Sequence, residues 1–509
     1  MGADDPDRWR QEVPFRKEEP GATGPARVTF DRRRLISELE SIAGPEFVAW
    51  KPEDLLVYEY DGSIDRATPL AVVVPADVDQ VSAIVRLCRQ YEVALVPRGA
   101  GTGLSGGAIA LDDSVQIVMS RFRRIISVDV DNMTAVVEPG VVNADLSAHV
   151  ARWGLYYVPD PSSQRACTIG GNVAENAGGP HCLAYGVTTN HVMGMEVVLA
   201  NGNVVWLGGE TRETAGYDLR GAFIGSEGTL GIATRVAVRL QRLPEAVQTM
   251  VATFRSLDQA TQTVSDIIAS GVLPAAIEMI DKVTIAAVEP YYHPGYPPDA
   301  EAVLLVEVDG LRETVKEESA HIEGICRRNG TSDFRSSDDP VRRAELWATR
   351  KGAIGAFGNL RPNYYLVDGV VPRTKLRDVM RKISNLGAEL DVLIANVFHA
   401  GDGNLHPCIL FDEREPGAVE KTIAAGEKIL ELCVEAGGAL SGEHGIGIEK
   451  QAYMGLMYNP DDLAAMARLK PAFGAGECFN PSKIFPTGRD LHGAAYRGPI
   501  RRTGTAEVV

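Results

Sequence analysis

The stretch VALVPRGAGTGLSGG, residues 93–107, joins an apolar strand directly to a loop with five glycines in nine residues. Such a loop has little side-chain bulk and many free backbone N–H groups, which together suit a diphosphate. Gly101, Gly103 and Gly106 also satisfy the dinucleotide-binding spacing G-x-G-x-x-G after a strand. The loop therefore predicts a phosphate site, and the residues that follow it decide which kind.

Those following residues do not have the pattern of a Rossmann unit. Such a unit needs a helix that begins inside the motif and an acidic residue about twenty positions on. Here the turn pair Asp112-Asp113 follows, a new apolar run begins at Val115, and Arg121 stands twenty positions beyond Gly101. The sequence instead predicts a loop that grips a pyrophosphate with backbone amides, with Arg98 as an added charge. A flexible surface turn is the alternative, although loops this rich in glycine usually have a backbone reason.

The composition of the chain excludes several classes of function. A length of 509 residues and a hydrophobic content of 45% are typical of a globular protein with two or three domains. The net charge of −17 argues against nucleic acid as a partner. Seven scattered cysteines, never spaced C-x-x-C, predict a reduced, cytoplasmic protein without an iron–sulfur site of its own. No apolar run approaches the roughly 20 residues of a membrane span, and the N-terminus lacks a signal-peptide core.

The predicted elements change in character along the chain. A short strand from Ala71, a helix over residues 77–91 and the strand before the glycine loop form a β-α-β unit. Antiparallel hairpins are then predicted around Asp131-Asn132 and Asn201-Gly202. This combination indicates an α+β domain. From Pro244 the glycine-rich loops cease and longer strands and helices alternate, which indicates a domain boundary.

Two further glycine-rich segments lie in the front domain, over residues 159–179 and 225–231. The first has little hydrophobic periodicity, and a loop of that length inside a domain is uncommon unless it has a function. Small residues let the backbone lie flat against a large planar ligand, and a flavin ring is the obvious candidate. Three such loops predict a cofactor whose pyrophosphate, ribityl and ring portions are held separately.

Two glycine-flanked polar clusters lie in the back half of the chain. In NVFHAGDGNLHP, residues 396–407, the glycines permit a bend that brings His399 and His406 to one point. In SGEHGIG, residues 441–447, Glu443 precedes His444. Two histidines and a carboxylate make a credible site for a divalent metal that leaves positions open for substrate. Hydrogen-bonded structural histidines and a solvated glutamate are the alternative.

Two side chains in this half suit the handling of a hydroxy acid. A neutral imidazole at His444 could take a proton from a hydroxyl, and a neighbouring cation would help to keep it unprotonated. Arg350 is a guanidinium candidate for binding a carboxylate, although arginines on helices mostly face water.

These motifs together resemble those of the FAD-linked oxidases of the vanillyl-alcohol oxidase / p-cresol methylhydroxylase flavin fold. The resemblance is to the branch of D-lactate, D-2-hydroxyglutarate and glycolate dehydrogenases, and it covers about residues 45–488. The motifs that carry it are PRGAGTGLSGG, PDPSS, TIGGNVAENAGG, GSEGTLGI, NVFHAGDGNLHP, SGEHGIGIEK and FNPSKIF.

The resemblance implies an α+β fold with a two-subdomain PCMH-type FAD-binding domain, an α+β cap domain for substrate and a C-terminal helical return to the flavin domain. The implied ranges are a disordered tail over 1–28, the FAD-binding domain over 29–243, the cap over 244–430, the C-terminal segment over 431–488 and a loose tail over 489–509.

The resemblance also implies the binding residues. The FAD pyrophosphate would lie at residues 98–107 and the ring beside residues 170–179. The residues expected to bind FAD are Pro97, Arg98, Gly99, Ala100, Gly101, Thr102, Gly103, Ser105, Gly106, Pro159, Asp160, Ser163, Thr168, Gly170, Gly171, Asn172, Ala174, Asn176, Gly178, Glu227, Gly228, Ile232 and Asn480. A divalent metal, zinc or manganese, would be held by His399, His406 and Glu443, with His444 as the base and Arg350 on the substrate carboxylate.

Two departures from the family pattern refine these expectations. Residues 98–107 lack the histidine to which some relatives bond flavin, so FAD should be non-covalent. The stretch NYYLVDG, residues 363–369, lacks the lysine with which hydroxyglutarate-type enzymes meet a second carboxylate, so the pocket should suit a small monocarboxylate.

We therefore expect oxidation of glycolate or D-lactate to the 2-oxo acid, with hydride passed to flavin N5. The run YYLVDG followed by VVPR resembles the flavoprotein subunit of glycolate dehydrogenases, whose relatives work with a second flavin-fold subunit and an iron–sulfur subunit. A quinone is the other acceptor, and oxygen remains open. The expected location is cytoplasmic, either free or peripheral to the inner face of the membrane through partners.

Three alternatives to this function stay open. The substrate could be D-2-hydroxyglutarate or another D-2-hydroxy acid, or else a phenol or sugar. A non-catalytic flavin-binding subunit of an electron-transfer complex is the alternative of another class.

Overall fold

The computed structural model describes residues 30–110, 113–211 and 215–486. The tails predicted over residues 1–28 and 489–509 lie outside this part of the chain. The described residues combine parallel and antiparallel sheets with helices, which confirms the predicted α+β fold.

The front half of the described chain, residues 30–243, begins with a four-stranded sheet in the order β1-β2-β4-β3. Its strands β2, β3 and β4 are parallel and β1 is antiparallel. The elements are α1 (Arg32–Ala43), β1 (Val48–Ala49), α2 (Pro52–Leu55), β2 (Ala71–Val73), α3 (Val78–Gln90), β3 (Leu95–Arg98) and β4 (Val115–Val118).

The helix α3 forms as its sequence predicts. Asp77 caps it by accepting a hydrogen bond from the backbone N–H of Gln80, and Val81, Ile84, Val85 and Cys88 are buried on one face. These side chains join the core that packs helices against the parallel strands. The strand β3 is thereby fixed, and the glycine loop starts from its C-terminal end.

The second part of the front half is a five-stranded antiparallel sheet in the order β5-β6-β10-β8-β9. Both predicted hairpins are present, since β5 pairs with β6 and β8 pairs with β9. The elements are β5 (Ile125–Asp129), β6 (Thr134–Val137), α4 (Asn143–Val150), β7 (Leu155–Tyr156), α5 (Ile169–Glu175), α6 (Cys182–Tyr185), β8 (Val192–Val198), β9 (Val204–Gly208), α7 (Leu219–Phe223) and β10 (Ile232–Arg239).

The glycine-rich region over residues 159–179, predicted as a loop, contains the helix α5. The Thr168 hydroxyl accepts a hydrogen bond from the Gly171 N–H, and Asn176 ends the helix in the left-handed conformation. This local capping outweighs the low helix propensity of the two glycines in the first turn.

The back half, from residue 244 onward, is built on a nine-stranded antiparallel sheet, whose main path runs β15-β12-β14-β13-β18-β19-β17. The strands β16 and β20 pair beside this path, and β11 pairs with β7. β11 (Gln241–Arg242) ends the front half, and the elements after it are β12 (Ala246–Phe254), α8 (Leu257–Ala269), β13 (Ala276–Asp281), α9 (Lys282–Tyr292), β14 (Ala302–Gly310), α10 (Arg312–Arg328), β15 (Asp333–Ser337), α11 (Pro340–Ala356), β16 (Asn363–Leu366), β17 (Gly369–Val370), α12 (Leu376–Glu389), β18 (Leu393–His399), β19 (Asn404–Leu405), β20 (Pro407–Phe411), α13 (Ala418–Glu435), α14 (Pro460–Ala467) and α15 (Leu469–Ala472).

The end of the described chain returns to the front half. The Leu95 N–H donates to the Cys478 carbonyl at 2.8 Å, and the Asn480 N–H donates to the Leu95 carbonyl at 2.8 Å. Phe479, between them, is fully buried. The C-terminal segment therefore packs along the strand that leads into the glycine loop.

Candidate active site

A cavity of about 430 Å³ lies where the three glycine-rich segments of the front half meet the polar clusters of the back half. The back-half residues that line it are Arg350, Lys351, Ile354, Tyr364, Leu366, Val397, His406, Glu443 and His444. Front and back halves both contribute its walls, so the site exists only in the folded whole.

The glycine loop offers backbone donors to this cavity. Within the described chain, the N–H groups of residues 100–103 make no hydrogen bond to protein, although these residues line the cavity. The next regular element is the strand β4, so no helix starts in the loop. Free amides in a glycine-rich cradle suit a pyrophosphate, and the loop therefore fits the diphosphate portion of FAD.

Arg98 lines the cavity as well, and its side chain also contacts the loop itself. Its side chain is buried against Gly101, and its Nη1 donates to the Tyr60 carbonyl at 2.8 Å. Burial lowers the pKa of the guanidinium despite nearby Asp61. Arg98 borders the cavity, but its main contacts hold the loop from beneath.

Most of the residues predicted to bind FAD line the cavity. They are Pro97, Arg98, Gly99, Ala100, Gly101, Thr102, Gly103, Ser163, Thr168, Gly170, Gly171, Asn172, Ala174, Gly178, Glu227, Gly228 and Ile232.

The remaining six, Ser105, Gly106, Pro159, Asp160, Asn176 and Asn480, are not among the lining residues and support the walls instead. The Asn480 amide donates to the carbonyls of Gly107 at 2.8 Å and Glu227 at 2.6 Å. The Gly106 carbonyl accepts from Lys483 Nζ at 2.6 Å, and the Ser105 carbonyl accepts from the Ile448 N–H at 2.9 Å. The Pro159 carbonyl accepts a hydrogen bond from the Asn143 amide, and the Asp160 carboxylate pairs with the His181 ring. The Asn176 amide oxygen accepts from the Thr189 N–H.

Glu227 joins the front half to the second polar cluster. Its carboxylate accepts from the backbone N–H groups of Ile446 at 2.7 Å and Gly447 at 2.6 Å. The loop GSEG and the loop EHGIG are thus held together beside the cavity.

His399, His406 and Glu443 meet at one point. His399 ends β18, Gly403 turns the chain with φ +81°, and His406 follows β19. The two ring centroids lie 5.0 Å apart. His399 Nε2 lies 3.2 Å and His406 Nε2 lies 3.0 Å from the same oxygen, Oε1 of Glu443.

These separations fit a single divalent ion. Metal bonds of about 2.0–2.2 Å in a tetrahedral arrangement place neighbouring ligand atoms about 3.3–3.5 Å apart. Burial acts against charge on His399, but the Glu278 and Glu443 carboxylates outweigh it and raise the pKa of His399 well above its usual range. The pocket therefore attracts a cation, which is either a proton on His399 or a metal ion.

His444 lines the cavity beside this cluster. Its ring stacks on that of His406 with centroids 4.9 Å apart and an interplanar angle of 7°. Burial, with His406 and Lys450 nearby, lowers the pKa of His444 to about 4, although Asp368 opposes the shift. Its Nδ1 makes no hydrogen bond among the described residues. A neutral imidazole with an unengaged nitrogen is the form that a general base requires.

Asp368, which the sequence analysis did not assign, holds the loop that carries Glu443 and His444. Its carboxylate accepts from the backbone N–H groups of Gly442 at 3.1 Å and His444 at 2.9 Å, and from Ser441 Oγ at 2.5 Å. Lys450 Nζ lies 3.2 Å away, and both side chains are fully buried. One carboxylate thus fixes the backbone of the whole turn.

Arg350 is also placed by a carboxylate that the sequence analysis did not assign. Its Nε donates to Oε2 of Glu278 at 2.5 Å, and the opposite oxygen, Oε1, lies 2.6 Å from Nδ1 of His399. Burial acts to raise the pKa of Glu278, but the charges of Arg350 and His399 outweigh it and lower that pKa. The Nη atoms of Arg350 make no hydrogen bond among the described residues, so they are available to a substrate carboxylate.

A sequence signal for both carboxylates exists. Glu278 interrupts the buried strand AIEMID, and Asp368 follows the apolar run YYLV. An acidic residue inside an apolar strand needs a buried partner. The sequence does not say which partner, because Arg350 and His399 are 72 and 121 positions away.

Within the described residues, no helix combines the length and the apolar character that a membrane crossing requires. All seven cysteines are free.

Comparison with known proteins identifies the two halves separately. Residues 69–208 match the family model described as FAD binding domain, and residues 243–484 match that described as FAD linked oxidases, C-terminal domain. The chain is 45% identical to the glycolate oxidase subunit GlcD of Escherichia coli strain K12, over 92% of this chain and 94% of that protein. It is 32% identical to the D-lactate dehydrogenase of Anaerostipes hadrus, over 82% of this chain and 90% of that protein.

A solved structure of p-cresol methylhydroxylase with substrate bound has the same fold. The TM-score is 0.77 at 17% identity, and the likeness covers 92% of this chain and 99% of that one. At this identity the likeness concerns the fold alone.

Proposed function

The chain belongs to the FAD-linked oxidases, and we propose that it oxidises a small 2-hydroxy acid, glycolate or D-lactate, to the 2-oxo acid. One observation carries the proposal: Arg350, His406, Glu443 and His444 line the same cavity as the three glycine-rich segments, and His399 meets Glu443 just behind its wall. In the proposed division, residues 29–243 hold FAD, residues 244–430 cover it, and residues 431–488 return to it.

Arg350 would hold the substrate carboxylate. It is 6% exposed and has Glu278 on its Nε side, which leaves its Nη edge for a bidentate contact. A carboxylate held this way leaves the neighbouring hydroxyl little freedom, and such orientation lowers the barrier of the chemical step.

His399, His406 and Glu443 would hold zinc or manganese. When bound, the ion would polarise the substrate hydroxyl and lower its pKa. Glu278 contacts Nδ1 of His399, which would leave Nε2 for the ion, as is usual for a ligating histidine.

His444 would remove the hydroxyl proton. Its depressed pKa keeps the ring neutral, and its backbone is held by Asp368. When bound, FAD would accept the hydride from C2 of the substrate at N5. The backbone amides of residues 100–103 and the Glu227 loop would hold the cofactor non-covalently.

The size of the substrate is the open part of this proposal. Tyr364 and Leu366 line the cavity and belong to the stretch 363–369, which lacks the lysine expected of a hydroxyglutarate-type enzyme, and this favours a small monocarboxylate. Lys351 lines the cavity beside Arg350 from another position and is exposed. This lysine supports D-2-hydroxyglutarate as the second candidate substrate.

We further propose that the electrons leave through a partner protein. The Escherichia coli relative is a subunit of glycolate oxidase, and the free cysteines of this chain form no cluster site among its described residues. The partners proposed are a second flavin-fold subunit and an iron–sulfur subunit, with a quinone as the alternative.

An anaerobic titration of the FAD-loaded protein tests the function. The panel is glycolate, D-lactate, L-lactate, D-2-hydroxyglutarate, a phenol and a sugar alcohol, and the readout is bleaching of the flavin absorbance. Bleaching by glycolate or D-lactate at the lowest concentrations supports the proposal. Bleaching only by an alcohol or a phenol, or by nothing, contradicts it.

A further inference from the structure

Glu278 connects the two parts of the proposed substrate site. It lies on β13, is 1% exposed, and uses one oxygen for Arg350 at 2.5 Å and the other for His399 at 2.6 Å. The function proposed above uses these two contacts separately and does not relate the position of Arg350 to that of His399.

We propose that Glu278 is a positioning residue that couples the carboxylate site to the metal site. One rigid carboxylate sets the distance between the guanidinium that receives the substrate carboxylate and the imidazole that places the metal. The enzyme therefore selects acids whose hydroxyl is on the carbon next to the carboxylate. This inference rests on the proposed function and adds how the site recognises a hydroxyl on the carbon next to the carboxylate.

The sheet register makes this arrangement rigid. Glu278 of β13 stands directly opposite His399 of β18 in an antiparallel pair. Opposed residues in such a pair project to the same face and lie within contact distance. Arg350 arrives from α11, which packs on α9 beside these strands. Neither oxygen of Glu278 can move toward one partner without losing the other.

A purely structural ion pair is the competing explanation. A buried carboxylate between a guanidinium and an imidazole contributes to folding wherever it occurs, and removing one partner leaves an uncompensated charge. Glu307 supplies the matched control. It is buried on the adjacent strand β14 and holds Arg343, Trp347 and His181, but it contacts neither Arg350 nor His399.

The first test compares Glu278→Gln with Glu307→Gln in the FAD-loaded protein. Zinc affinity is measured by competition with a chromophoric chelator, and propionate affinity by its perturbation of the flavin spectrum. Propionate carries the carboxylate without the hydroxyl, so it reports the Arg350 site alone. We expect Glu278→Gln to weaken both affinities at least tenfold, as loss of a partner behind a metal ligand does. Glu307→Gln should leave both within twofold.

The second test removes the unpaired charge in case Glu278→Gln folds poorly. Zinc affinity is compared between Arg350→Met and the double variant Arg350→Met/Glu278→Gln. The double variant lacks both buried charges, so its folding does not suffer from a lone guanidinium. We expect Arg350→Met to keep most of the zinc affinity and the double variant to lose at least tenfold.

The third readout is substrate choice. Glu278→Asp keeps the charge but shortens the reach by one methylene, so one of the two contacts must lengthen. We expect the ratio of kcat/KM for glycolate over 3-hydroxypropionate to fall at least tenfold, which a loss of stability alone would not cause.

Three results would overturn the coupling: a change in stability alone, a loss of only one of the two affinities, or a wild-type protein that binds neither zinc nor manganese. In the last case, bleaching by a 2-hydroxy acid would leave the proposed oxidation intact. Loss of both affinities in a protein that no 2-hydroxy acid bleaches would support the coupling and reject the oxidation.

Discussion

Asp368 shows how much of this site depends on single buried residues. Its carboxylate accepts from backbone N–H groups at Gly442 and His444, from Ser441, and from Lys450. No neutral side chain can accept that many hydrogen bonds, so the turn that carries Glu443 and His444 depends on the negative charge.

We predict that Asp368→Asn lowers kcat/KM for the hydroxy acid about 10–100-fold, the range found when a supporting partner behind a metal ligand is lost. FAD content should stay normal, because Asp368 is not among the residues that line the cavity. The control is Asp412→Asn, which removes a carboxylate paired with exposed Arg414. Steady-state kinetics with equal activity in both variants would reject the role of Asp368.

A single residue, His191, makes the stability of the fold depend on pH. It is fully buried, its Nε2 donates to the Tyr185 carbonyl at 2.9 Å, and its Nδ1 has no partner among the described residues. Burial, with a smaller effect of Arg239, lowers the pKa of His191 to about 4. The unfolded chain, with a histidine pKa near 6.5, binds the proton first, so this residue destabilises the fold as pH falls from about 6.5 toward 4.

We predict that the wild type loses about 2 kcal/mol more free energy of unfolding than His191→Gln between pH 8 and pH 5. The two proteins are compared by urea unfolding followed through tryptophan fluorescence. Only the difference in slope with pH is used, because the substitution itself changes stability. Parallel pH dependences would contradict the assignment.

At the scale of elements, the shape of the glycine loop depends on a clamp formed by Lys483 and Asn480 near the end of the described chain. Lys483 is 2% exposed, and its Nζ donates to the carbonyls of Gly106 at 2.6 Å and Ile109 at 2.7 Å. Asn480 donates to Gly107 from the same segment. The loop therefore keeps its shape through contacts with residues more than 370 positions away.

We predict that Lys483→Met weakens FAD binding at least tenfold, because two buried carbonyls lose their donor at about 1–3 kcal/mol each. The measurement is the dissociation constant for FAD of deflavinated protein, from flavin fluorescence quenching. Lys282→Met, which removes an exposed ion pair with Glu301, serves as the control. An affinity within twofold of wild type would show that the clamp is dispensable.

Sequence reasoning found the elements that carry strong local signals. The helix α3 has an N-cap and an apolar face, and both hairpins have turn pairs, so their bounds could be predicted closely. The helix α5 was missed because glycines mask its Thr168 cap. Site residues that carry a local signal, such as His444 between glycines, could be predicted from the sequence. Glu278, Asp368 and Lys483 act on residues distant in sequence, and only the fold brings them together.

At the scale of the whole molecule, front and back halves each supply an incomplete site. The front half offers backbone donors for a cofactor, and the back half offers the His399–His406–Glu443 cluster, the guanidinium and the imidazole. Glu227 and Asn480 tie the halves together at the cavity.

The kinetics of the whole molecule test which compound accepts the electrons. If a partner protein is the acceptor, the isolated chain should reduce an artificial dye far faster than oxygen. We expect at least a hundredfold difference in kcat between dichlorophenolindophenol and oxygen, with peroxide measured in the same assay. Rapid peroxide formation would contradict the proposal of a partner.

The most direct measurement is anaerobic stopped-flow reduction of bound flavin by glycolate and D-lactate, in the wild type and in His444→Ala. Loss of a general base costs about 10²–10⁴-fold. The wild-type flavin should therefore bleach on mixing, whereas His444→Ala, with the same FAD content, should bleach at least a hundredfold more slowly. A wild-type flavin that neither acid reduces, or a His444→Ala flavin reduced at the wild-type rate, would contradict the account.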